Sequence, residues 1–404
     1  MGGDRRLRFV WNYLDWGGAN VYLIAIMKQA RDEWDIEVLL PTESSRDILD
    51  MITATGARYR LIDGSLDKSP APTLSRKLRR QWRRIRSELA AYRELKKEDL
   101  TDVIIHCEFA AWQSWVFYWL MLRRGAQMFF TLHNELPDKP RWRNAVWNWR
   151  LRFLSKRTGF HVFPANQHSR NKLRSRVTGE FWKKLPVTYT SVNPEEIDAA
   201  ANAAFDQTET RARFGIPADA FVVLTIARFS DLKGRWMLLE AARKVAAETR
   251  DIYFVWITPD LPDEQDARRT ESYGLRERFK LVRSREAGID RVDFLTFFRI
   301  ADASVLPSFL EGLPIAVMEA MAMGLATIST NIFAIPEAII DGETGLMIEP
   351  GNGDQLAEKI LELYRDPGLR ARLAKQGREH VLATFDERVA ARTAIEHYLK
   401  ALGE

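Results

Sequence analysis

The sequence predicts an α/β protein of two lobes, each built on a parallel β-sheet covered by helices. Three observations indicate this. The 404 residues are too many for one core of ordinary size. Short apolar runs alternate with helical patterns along the chain, as in parallel sheets with helices on both faces. Charge and tryptophan content also change near residue 185.

The apolar runs define the predicted strands. The run 7–11 is followed by Gly17-Gly18 and by an apolar-periodic stretch at 21–30, a pattern of strand, glycine loop and helix. Further strands are predicted at 36–40, 103–105, 128–132, 161–163, 221–226, 252–257, 279–282, 304–306, 326–329 and 346–348. The proline-containing segment 186–220 separates the two sets. Two Rossmann-like lobes are therefore expected.

The two halves differ in charge. Residues 1–185 contain 34 Lys and Arg against 20 Asp and Glu, a net charge of +14, whereas the remainder has a net charge of −9. The same division places 11 of the 13 tryptophans in the first half. We expect the basic lobe to face an anionic partner, such as a membrane surface, nucleic acid or a phosphorylated substrate.

Composition also narrows the class of protein. With 46% hydrophobic and 28% charged residues, the chain is neither disordered nor collagen-like. Cys107 is the only cysteine, which excludes an intrachain disulfide and suits a reducing cytoplasm. No apolar stretch is long enough to span a bilayer, and no signal peptide is visible. We expect a cytoplasmic protein, either soluble or peripheral on the inner face of the membrane.

Residues 307–345 carry the most informative pattern. Glu311 and Glu319 stand eight apart, and Pro314 suits the first turn of a helix that ends at Gly324. Gly312 allows a ligand to approach the backbone, and the free amides of a first turn suit an anionic or hydroxyl-rich ligand. Because 301–350 contains no Lys or Arg, we expect neither glutamate to have a local cation as its partner.

This segment resembles a known family. The pattern Glu311-Gly-Leu-Pro, Glu319-Ala-Met-Ala-x-Gly, followed by an Ile-Pro-Glu and an Asp-Gly-x-Thr-Gly, is similar to the donor-site signature of the family 4 glycosyltransferases, which are retaining enzymes with the GT-B fold. Upstream, Arg228 and Lys233-Gly234 match the Arg and Lys-Gly segment of that family.

The resemblance implies an organisation. It implies a GT-B fold of two Rossmann-like lobes with a cleft between them. Residues 1–185 would bind the acceptor, 186–385 would bind the nucleotide-sugar donor, and a helix at 386–404 would cross back to the first lobe. The donor, a nucleotide-diphosphate sugar, would be a co-substrate, and neither a further cofactor nor a metal is expected.

The resemblance also assigns roles in the second lobe. Arg228 and Lys233 would neutralise the diphosphate, which fits two cations between a strand and a helix. Glu319 would hold the ribose hydroxyls. Glu311 is the catalytic candidate that positions and stabilises the donor sugar without acting as a nucleophile. The remaining donor contacts would come from Gly312, Leu313 and Pro314.

Fewer residues are assigned in the first lobe. Gly17 and Gly18 resemble the glycine loop that approaches the diphosphate, and His133 matches a family histidine that faces the donor sugar, which makes it the second catalytic candidate. His106 and Glu108, at the end of the preceding strand, are candidates for acceptor binding. They follow predicted parallel strands, where such folds bind ligands.

Some positions depart from the family pattern. Thr258-Pro259-Asp260 stands where the family commonly has Gly-x-Gly, so the base of the nucleotide is left open. There is no Asp-x-Asp, which argues against the metal-dependent transferase fold.

Two basic segments remain. Within 75–95 the apolar residues recur at steps of four and three between arginines, and 141–152 interleaves arginine with tryptophan. Their apolar faces either pack on the core of the lobe or dock on an anionic membrane.

The function expected is retaining transfer of a hexose-type sugar from a nucleotide-diphosphate sugar to an acceptor hydroxyl of a lipid-linked or cell-envelope glycan. Two alternatives stay open. One is a non-catalytic module that binds membrane or nucleic acid, and the other is a nucleotide-sugar epimerase. Nucleic acid is disfavoured as a partner because it would leave the donor-site residues unexplained.

Overall fold

The structure is a computed structural model that describes residues 5–11, 18–63, 73–108, 115–133, 141–288 and 290–404. At some helix positions, among them Arg80, Arg84 and Trp142, it describes the backbone alone. The chain divides into two compact units. The N-terminal unit comprises Met1–Thr190 and Glu387–Glu404, and the C-terminal unit comprises Ser191–Asp386. The sequence predicts these two boundaries after residues 185 and 385.

The N-terminal unit contains six parallel strands in the order β3-β2-β1-β4-β5-β6. The strands are β1 (Arg6–Val10), β2 (Asp35–Pro41), β3 (Arg58–Ile62), β4 (Val103–Glu108), β5 (Gln127–Leu132) and β6 (Phe160–Pro164). The chain order reverses between β1 and β4. In open α/β sheets this reversal marks the edge where ligands bind.

The C-terminal unit repeats this topology with the order β12-β11-β10-β7-β8-β9. The strands are β7 (Phe221–Ile226), β8 (Ile252–Thr258), β9 (Phe279–Arg283), β10 (Ala303–Leu306), β11 (Ala326–Thr330) and β12 (Leu346–Ile348). Here the reversal lies between β7 and β10, and the loops that follow these two strands carry the predicted donor-site residues. The α/β class predicted from the sequence is confirmed.

Helices connect the strands in both units. Those of the N-terminal unit are α1 (Gly18–Ala30), α2 (Arg46–Ala54), α3 (Leu74–Leu95), α4 (Trp115–Arg123), α5 (Arg141–Leu154), α6 (Gln167–Leu173), α7 (Gly179–Lys183) and α18 (Glu387–Leu402). Those of the C-terminal unit are α8 (Pro194–Asn202), α9 (Gln207–Arg213), α10 (Arg235–Glu248), α11 (Glu264–Ser272), α12 (Ser284–Ala287), α13 (Arg291–Thr296), α14 (Ile315–Ala322), α15 (Ile335–Ala338), α16 (Gly353–Arg365) and α17 (Pro367–Thr384). No helix in the described part of the chain is long and apolar enough to cross a membrane.

Each predicted strand is present within one or two residues of its expected bounds, except that β4 extends three residues beyond the predicted 103–105, and the structure adds β3. The sequence of β3, Arg-Tyr-Arg-Leu-Ile, alternates charged and apolar residues. Its first four residues are exposed because β3 forms the edge of the sheet. Since an edge strand buries little, it lacks the continuous apolar run by which the other strands are recognised.

The N-terminal sheet has an apolar core on each face. On one face Leu7, Phe9 and Ile104 pack with α1 and with the returning helix α18, whose Tyr398 is fully buried. On the opposite face Ile105 belongs to a second cluster that includes residues of α3, α4 and α5. Successive strand residues point to opposite faces, so apolar residues at consecutive positions serve both cores.

The α3 helix does not bury its predicted apolar stripe. Ser87, Ala91 and Leu95 face the core, whereas Leu78 and Trp82 are 63% and 68% exposed. The helix begins and ends as the sequence predicts. In the first half of α3, the apolar stripe is therefore exposed to solvent and does not pack on the core of the lobe.

Candidate active site

Two loops meet at the strand-order reversal of the C-terminal unit. The amide of Phe309, in the loop after β10, donates to the carbonyl of Leu232, in the turn after β7, at 2.8 Å. Gly234 in that turn has φ +74°, and a Cβ there would lie 1.9 Å from the carbonyl oxygen of Pro307. Only glycine permits both this conformation and this approach. The backbone thus holds the two loops together.

This approach brings Lys233 and Glu311 into contact. Lys233 Nζ donates to Glu311 Oε1 at 2.5 Å, and the Ser308 hydroxyl donates to the same oxygen at 2.8 Å. The Glu311 side chain is 8% exposed. No protein group among the described residues bonds to Glu311 Oε2. One carboxylate oxygen is therefore fixed by the protein and the other is free to accept from a ligand.

Glu319 is paired in a similar way from another element. On α14, its side chain is 3% exposed, and its Oε1 accepts from Nη2 of Arg291 on α13. The Arg291 Nε donates to Glu196 Oε2 on α8 at 3.3 Å. Burial raises the pKa of Glu319, and the positive charge of Arg291 opposes that rise. As for Glu311, no described protein group bonds to the second carboxylate oxygen.

Neither glutamate has a local cation partner, as expected, but each is paired with a cation from another element. Both cations come from outside the window 301–350, since Lys233 and Arg291 stand 78 and 28 residues before the acids they contact. A buried carboxylate without a partner is costly, and the fold supplies the partner from a neighbouring loop or helix. Sequence analysis missed Arg291 and Ser308. Ser308 has a local signal three residues before Glu311, whereas Arg291 has none.

Arg228 follows β7 and is exposed, with no ion-pair partner among the described residues. The backbone beside it is tied to β8 because the Thr258 hydroxyl accepts from the Phe229 amide at 3.2 Å and donates to the Asp260 carbonyl at 3.0 Å. Thr258, which stands in place of a family glycine, therefore fixes the loop that carries Arg228.

The predicted donor loop leads into α14 as the sequence indicates. Pro314 is the residue before the first helical position, α14 runs to Ala322, and Gly324 has φ +82°. Leu313 and Pro314 are buried and Gly312 is half-buried. Gly312, Leu313 and Pro314 therefore connect the paired Glu311 to the start of α14.

His133 lies at the end of β5 in the N-terminal unit and is 9% exposed. The Thr190 hydroxyl is 3.4 Å from its Nδ1, and Asn166 Nδ2 donates to its carbonyl at 3.1 Å. Its Nε2 is buried, and none of the described groups bonds to it. Burial lowers the pKa of His133 to about 4, so the ring is neutral at pH 7. An unpaired buried nitrogen of this kind is costly and calls for a functional explanation.

His106 does not have the surroundings predicted for it. It is fully buried, and its Nδ1 and Nε2 bond to the hydroxyls of Tyr398 and Thr131. Burial lowers its pKa to about 3. Because both ring nitrogens are committed inside the core, the predicted acceptor contact was wrong, and His106 ties β4 and β5 to α18 instead.

The remaining first-lobe candidates lie beside β1 and β4. Gly18 is the first residue of α1, and Gly17 lies outside the described residues. Glu108 is the last residue of β4 and is half-buried. Gly18 comes after β1 and Glu108 ends β4, the two strands that border the reversal of the N-terminal sheet.

The chain resembles known proteins in sequence and in structure. Residues 206–380 match the family described as glycosyl transferases group 1. The D-inositol 3-phosphate glycosyltransferase of Arthrobacter sp. (strain FB24) is 27% identical over 54% of this chain and 51% of that protein. The lipopolysaccharide core biosynthesis glycosyltransferase LpsE of Rhizobium meliloti (strain 1021) is 28% identical over 43% of this chain and 48% of that protein. The chain thus spans about half the length of these curated relatives.

A solved structure matches nearly the whole chain. The Anabaena protein HepE, solved in complex with UDP-glucose, superposes with a TM-score of 0.75 at 18% identity, over 98% of this chain and 99% of that one. This likeness agrees with the two parallel sheets of identical strand order. The chain has the GT-B fold, and its residues 206–380 match the family described as glycosyl transferases group 1.

Proposed function

We propose that this protein is a retaining glycosyltransferase that moves a hexose-type sugar from a nucleotide-diphosphate sugar to an acceptor hydroxyl. The observation that carries the proposal is the Lys233–Glu311 pair in the group 1 unit, where one carboxylate oxygen is held by the protein and the other is open. The arrangement offers a cation and a hydrogen-bond acceptor side by side.

The charges suit a donor of this class. Arg228 is exposed and unpaired among the described residues, and the Lys233 ammonium has two further protons beyond the one it gives to Glu311. Together they can neutralise a diphosphate without a metal. Neutral His133 can donate or accept a hydrogen bond at a sugar hydroxyl. It is not an imidazolium at pH 7, so it does not act as a general acid.

The chemistry follows from these roles. The bond from the anomeric carbon to the diphosphate oxygen breaks while the acceptor oxygen bonds to the same face of that carbon. The acceptor proton passes to the departing phosphate oxygen, which gives a nucleoside diphosphate and a glycoside of retained configuration. Glu311 accepts a hydrogen bond from the donor sugar throughout and forms no covalent bond.

The names of relatives support the acceptor class. LpsE is a lipopolysaccharide core enzyme by name, which supports a cell-envelope glycan as acceptor. The HepE structure contains UDP-glucose, which supports a nucleotide-sugar donor and leaves the acceptor open. We place the acceptor among lipid-linked or cell-envelope glycans, at the inner face of the membrane. An epimerase would act without an acceptor, so product analysis with and without a glycan separates the two reactions.

Nucleotide binding is the first test. A thermal-shift screen of UDP, GDP, ADP and their sugars should identify one base, because a ligand at 100 times its dissociation constant adds about 2.7 kcal/mol to stability. Lys233→Ala should weaken binding of that diphosphate about tenfold to a hundredfold, since a charge-assisted contact is lost. Lys359→Ala, on α16, is the matched surface control. Equal affinity in wild type and Lys233→Ala would refute the phosphate role.

Turnover tests the mechanism. Glu311→Gln should mainly lower kcat. Glu319→Gln should mainly raise the donor KM, because the contact of Glu319 with the donor is made in the ground and transition states alike. EDTA should leave the rate unchanged, and NMR of the first product formed should show the anomeric configuration of the donor. Inversion, or a glycosyl adduct on Glu311 in intact mass spectrometry, would contradict this mechanism.

We further propose that α3 docks the N-terminal unit on an anionic membrane. Leu78, Trp82 and Leu89 are 63%, 68% and 40% exposed along one stripe of the helix, and Arg79 and Arg83 are exposed beside them. Tryptophan and arginine together suit a lipid interface, where each basic residue contributes about 1 kcal/mol at an anionic surface. The excess positive charge of the first half favours lipid of the opposite sign.

Vesicle sedimentation tests the docking surface. The protein should bind phosphatidylglycerol vesicles at low salt, leave them as salt rises, and not bind phosphatidylcholine alone. Reversing the charge at Arg79, Arg80, Arg83 and Arg84 should abolish this binding and leave nucleotide affinity unchanged. Val389→Ser, an exposed apolar residue on α18, is the control that should bind like wild type. No sedimentation at low salt would overturn the proposal.

A further inference from the structure

Arg291 connects three separate elements of the C-terminal unit. Its Nη2 donates to Glu319 on α14, and its Nε donates to Glu196 on α8. The three side chains are 20%, 3% and 21% exposed, in the order Arg291, Glu319 and Glu196. The most deeply buried of the three is the glutamate to which a donor role is assigned.

The guanidinium is suited to this place. It presents several N–H groups in one rigid plane, so it can bond to two carboxylates in different directions at once. A lysine has a compact ammonium on a flexible chain, so it lacks the rigid planar arrangement that directs N–H groups toward two acids on different helices. The second bond, to Glu196, therefore restrains the orientation of Arg291 and, through it, the Glu319 carboxylate.

The same arrangement leaves an acceptor open. Arg291 occupies Oε1 of Glu319, and no described protein group bonds to Oε2. Although the Glu319 side chain is only 3% exposed, this oxygen is available to accept a hydrogen bond from a ligand. A sugar hydroxyl is a donor for such a bond, and a vicinal diol supplies two.

We infer that Arg291 is a positioning residue that holds Glu319 to recognise the ribose hydroxyls of the donor nucleotide. The inference rests on the proposed function and extends it to a residue outside the motif, with Glu196 as its anchor. Arg291 itself touches no substrate. It acts by fixing which oxygen of Glu319 is bound and which is free.

The test compares a ribonucleoside diphosphate with its 2′,3′-dideoxy form by calorimetry. The base is the one of UDP, GDP or ADP that binds wild type best. Wild type should prefer the ribo form by about tenfold or more, because a site built for a hydroxyl is left unpaired by its absence. Arg291→Gln should reduce the preference to less than threefold, as Glu319→Gln does. Glu196→Gln should fall between these and wild type.

A matched variant separates positioning from folding. Arg299 bonds to the carbonyls of Ala200 and Ala203, where α8 ends, so it holds the same helix without contact to Glu319. Arg299→Gln should keep the ribose preference even if it lowers stability. Conversely, Arg291→Gln should lose the preference while its residual affinity for the dideoxy form stays near that of wild type.

Three results would overturn the inference. They are an unchanged ribose preference in Arg291→Gln, an equal loss of affinity for both nucleotides, and tighter binding of the ribo form, which would mean that Arg291 competes with the donor. If wild type bound no nucleoside diphosphate at all, the proposed function would fail first, and the two failures are thereby distinguished.

Discussion

The two units have the same strand order but place different chemistry at the ends of their strands. In the N-terminal unit the polar groups beside β4 and β5 are neutral histidines, and burial lowers the pKa of His106 to about 3 and that of His133 to about 4. In the C-terminal unit they are ion pairs, Lys233 with Glu311 and Arg291 with Glu319. A shared topology therefore determines where polar groups meet, and the residue types at those positions determine their chemistry.

The groups that surround the buried histidines and glutamates explain why the two units differ in charge at these sites. Around His106 the available groups are hydroxyls, from Tyr398 and Thr131, which stabilise a neutral imidazole. Around each glutamate a cation arrives from another element, which offsets part of the cost of burying a carboxylate. One unit should therefore be sensitive to acid and the other to loss of a single cation.

Acid should unfold the N-terminal unit first, and this is the largest effect we expect. A histidine in the unfolded chain has a pKa near 6.5, whereas burial lowers the folded values to about 4 for His133 and about 3 for His106. The unfolded state then binds more protons between pH 6.5 and 4. The contribution of each histidine to stability is constant above pH 6.5 and decreases as the pH falls toward its folded pKa, by up to about 1.4 kcal/mol per pH unit.

Tryptophan fluorescence can follow this transition, since 11 of the 13 tryptophans lie in the N-terminal unit. Pulse proteolysis can follow the other unit in parallel. His106→Gln should reduce the slope of the unfolding free energy of the N-terminal unit against pH by the equivalent of one proton. His380→Gln, which alters the only histidine of the C-terminal unit, should leave that slope unchanged. Loss of both units at the same pH would contradict the difference drawn between them.

The next effect concerns Gly234 and is confined to the C-terminal unit. Gly234→Ala should cost about 3 kcal/mol or more, because a left-handed residue with a Cβ is strained and that Cβ would lie 1.9 Å from the Pro307 oxygen. Gly324→Ala is the matched control. Gly324 also has positive φ, at +82°, but a Cβ added there would have no atom within 4 Å.

Gly324→Ala should therefore cost only about 1 kcal/mol of backbone strain. Pulse proteolysis in urea measures both variants, while the fluorescence transition of the other unit should stay in place. If the two glycine variants were equally stable, the close approach of the loops after β7 and β10 would not be a source of stability. Nucleotide binding should also weaken in Gly234→Ala, because Lys233 is the preceding residue.

How much could be predicted from the sequence depends on how far apart in the chain the interacting residues are. The loop from Glu311 to Pro314 and the start of α14 depend on neighbouring residues, so their residue types suffice. The partner of Glu319 does not, since Arg291 is distant in sequence and lies on a helix of six residues with no motif of its own. His106 was assigned to the acceptor because the strand end was visible and its packing against α18 was not.

Dependence on distant residues also explains why the exposure of the apolar stripe of α3 could not be predicted. Its periodicity determines where the helix begins and ends, but which of its faces meets the sheet depends on what the sheet offers. Here the sheet takes the small residues Ser87 and Ala91, and Trp82 is left in solvent. Periodicity identifies an apolar stripe without saying whether that stripe has a partner in the same chain.

The smallest effect should come from Thr258, the departure from the family glycine pattern. Its hydroxyl accepts from the Phe229 amide and donates to the Asp260 carbonyl, and both bonds hold the loop that carries Arg228. Thr258→Val keeps the shape and removes both bonds, at a cost of about 1–3 kcal/mol for the groups left unpaired. Thr258→Ser keeps the hydroxyl and should cost less than half as much. Urea unfolding measures the stability of the two variants, and calorimetry with the preferred diphosphate shows whether Arg228 has lost its place. A valine variant as stable as the serine variant would show that this hydroxyl is not what fixes the loop.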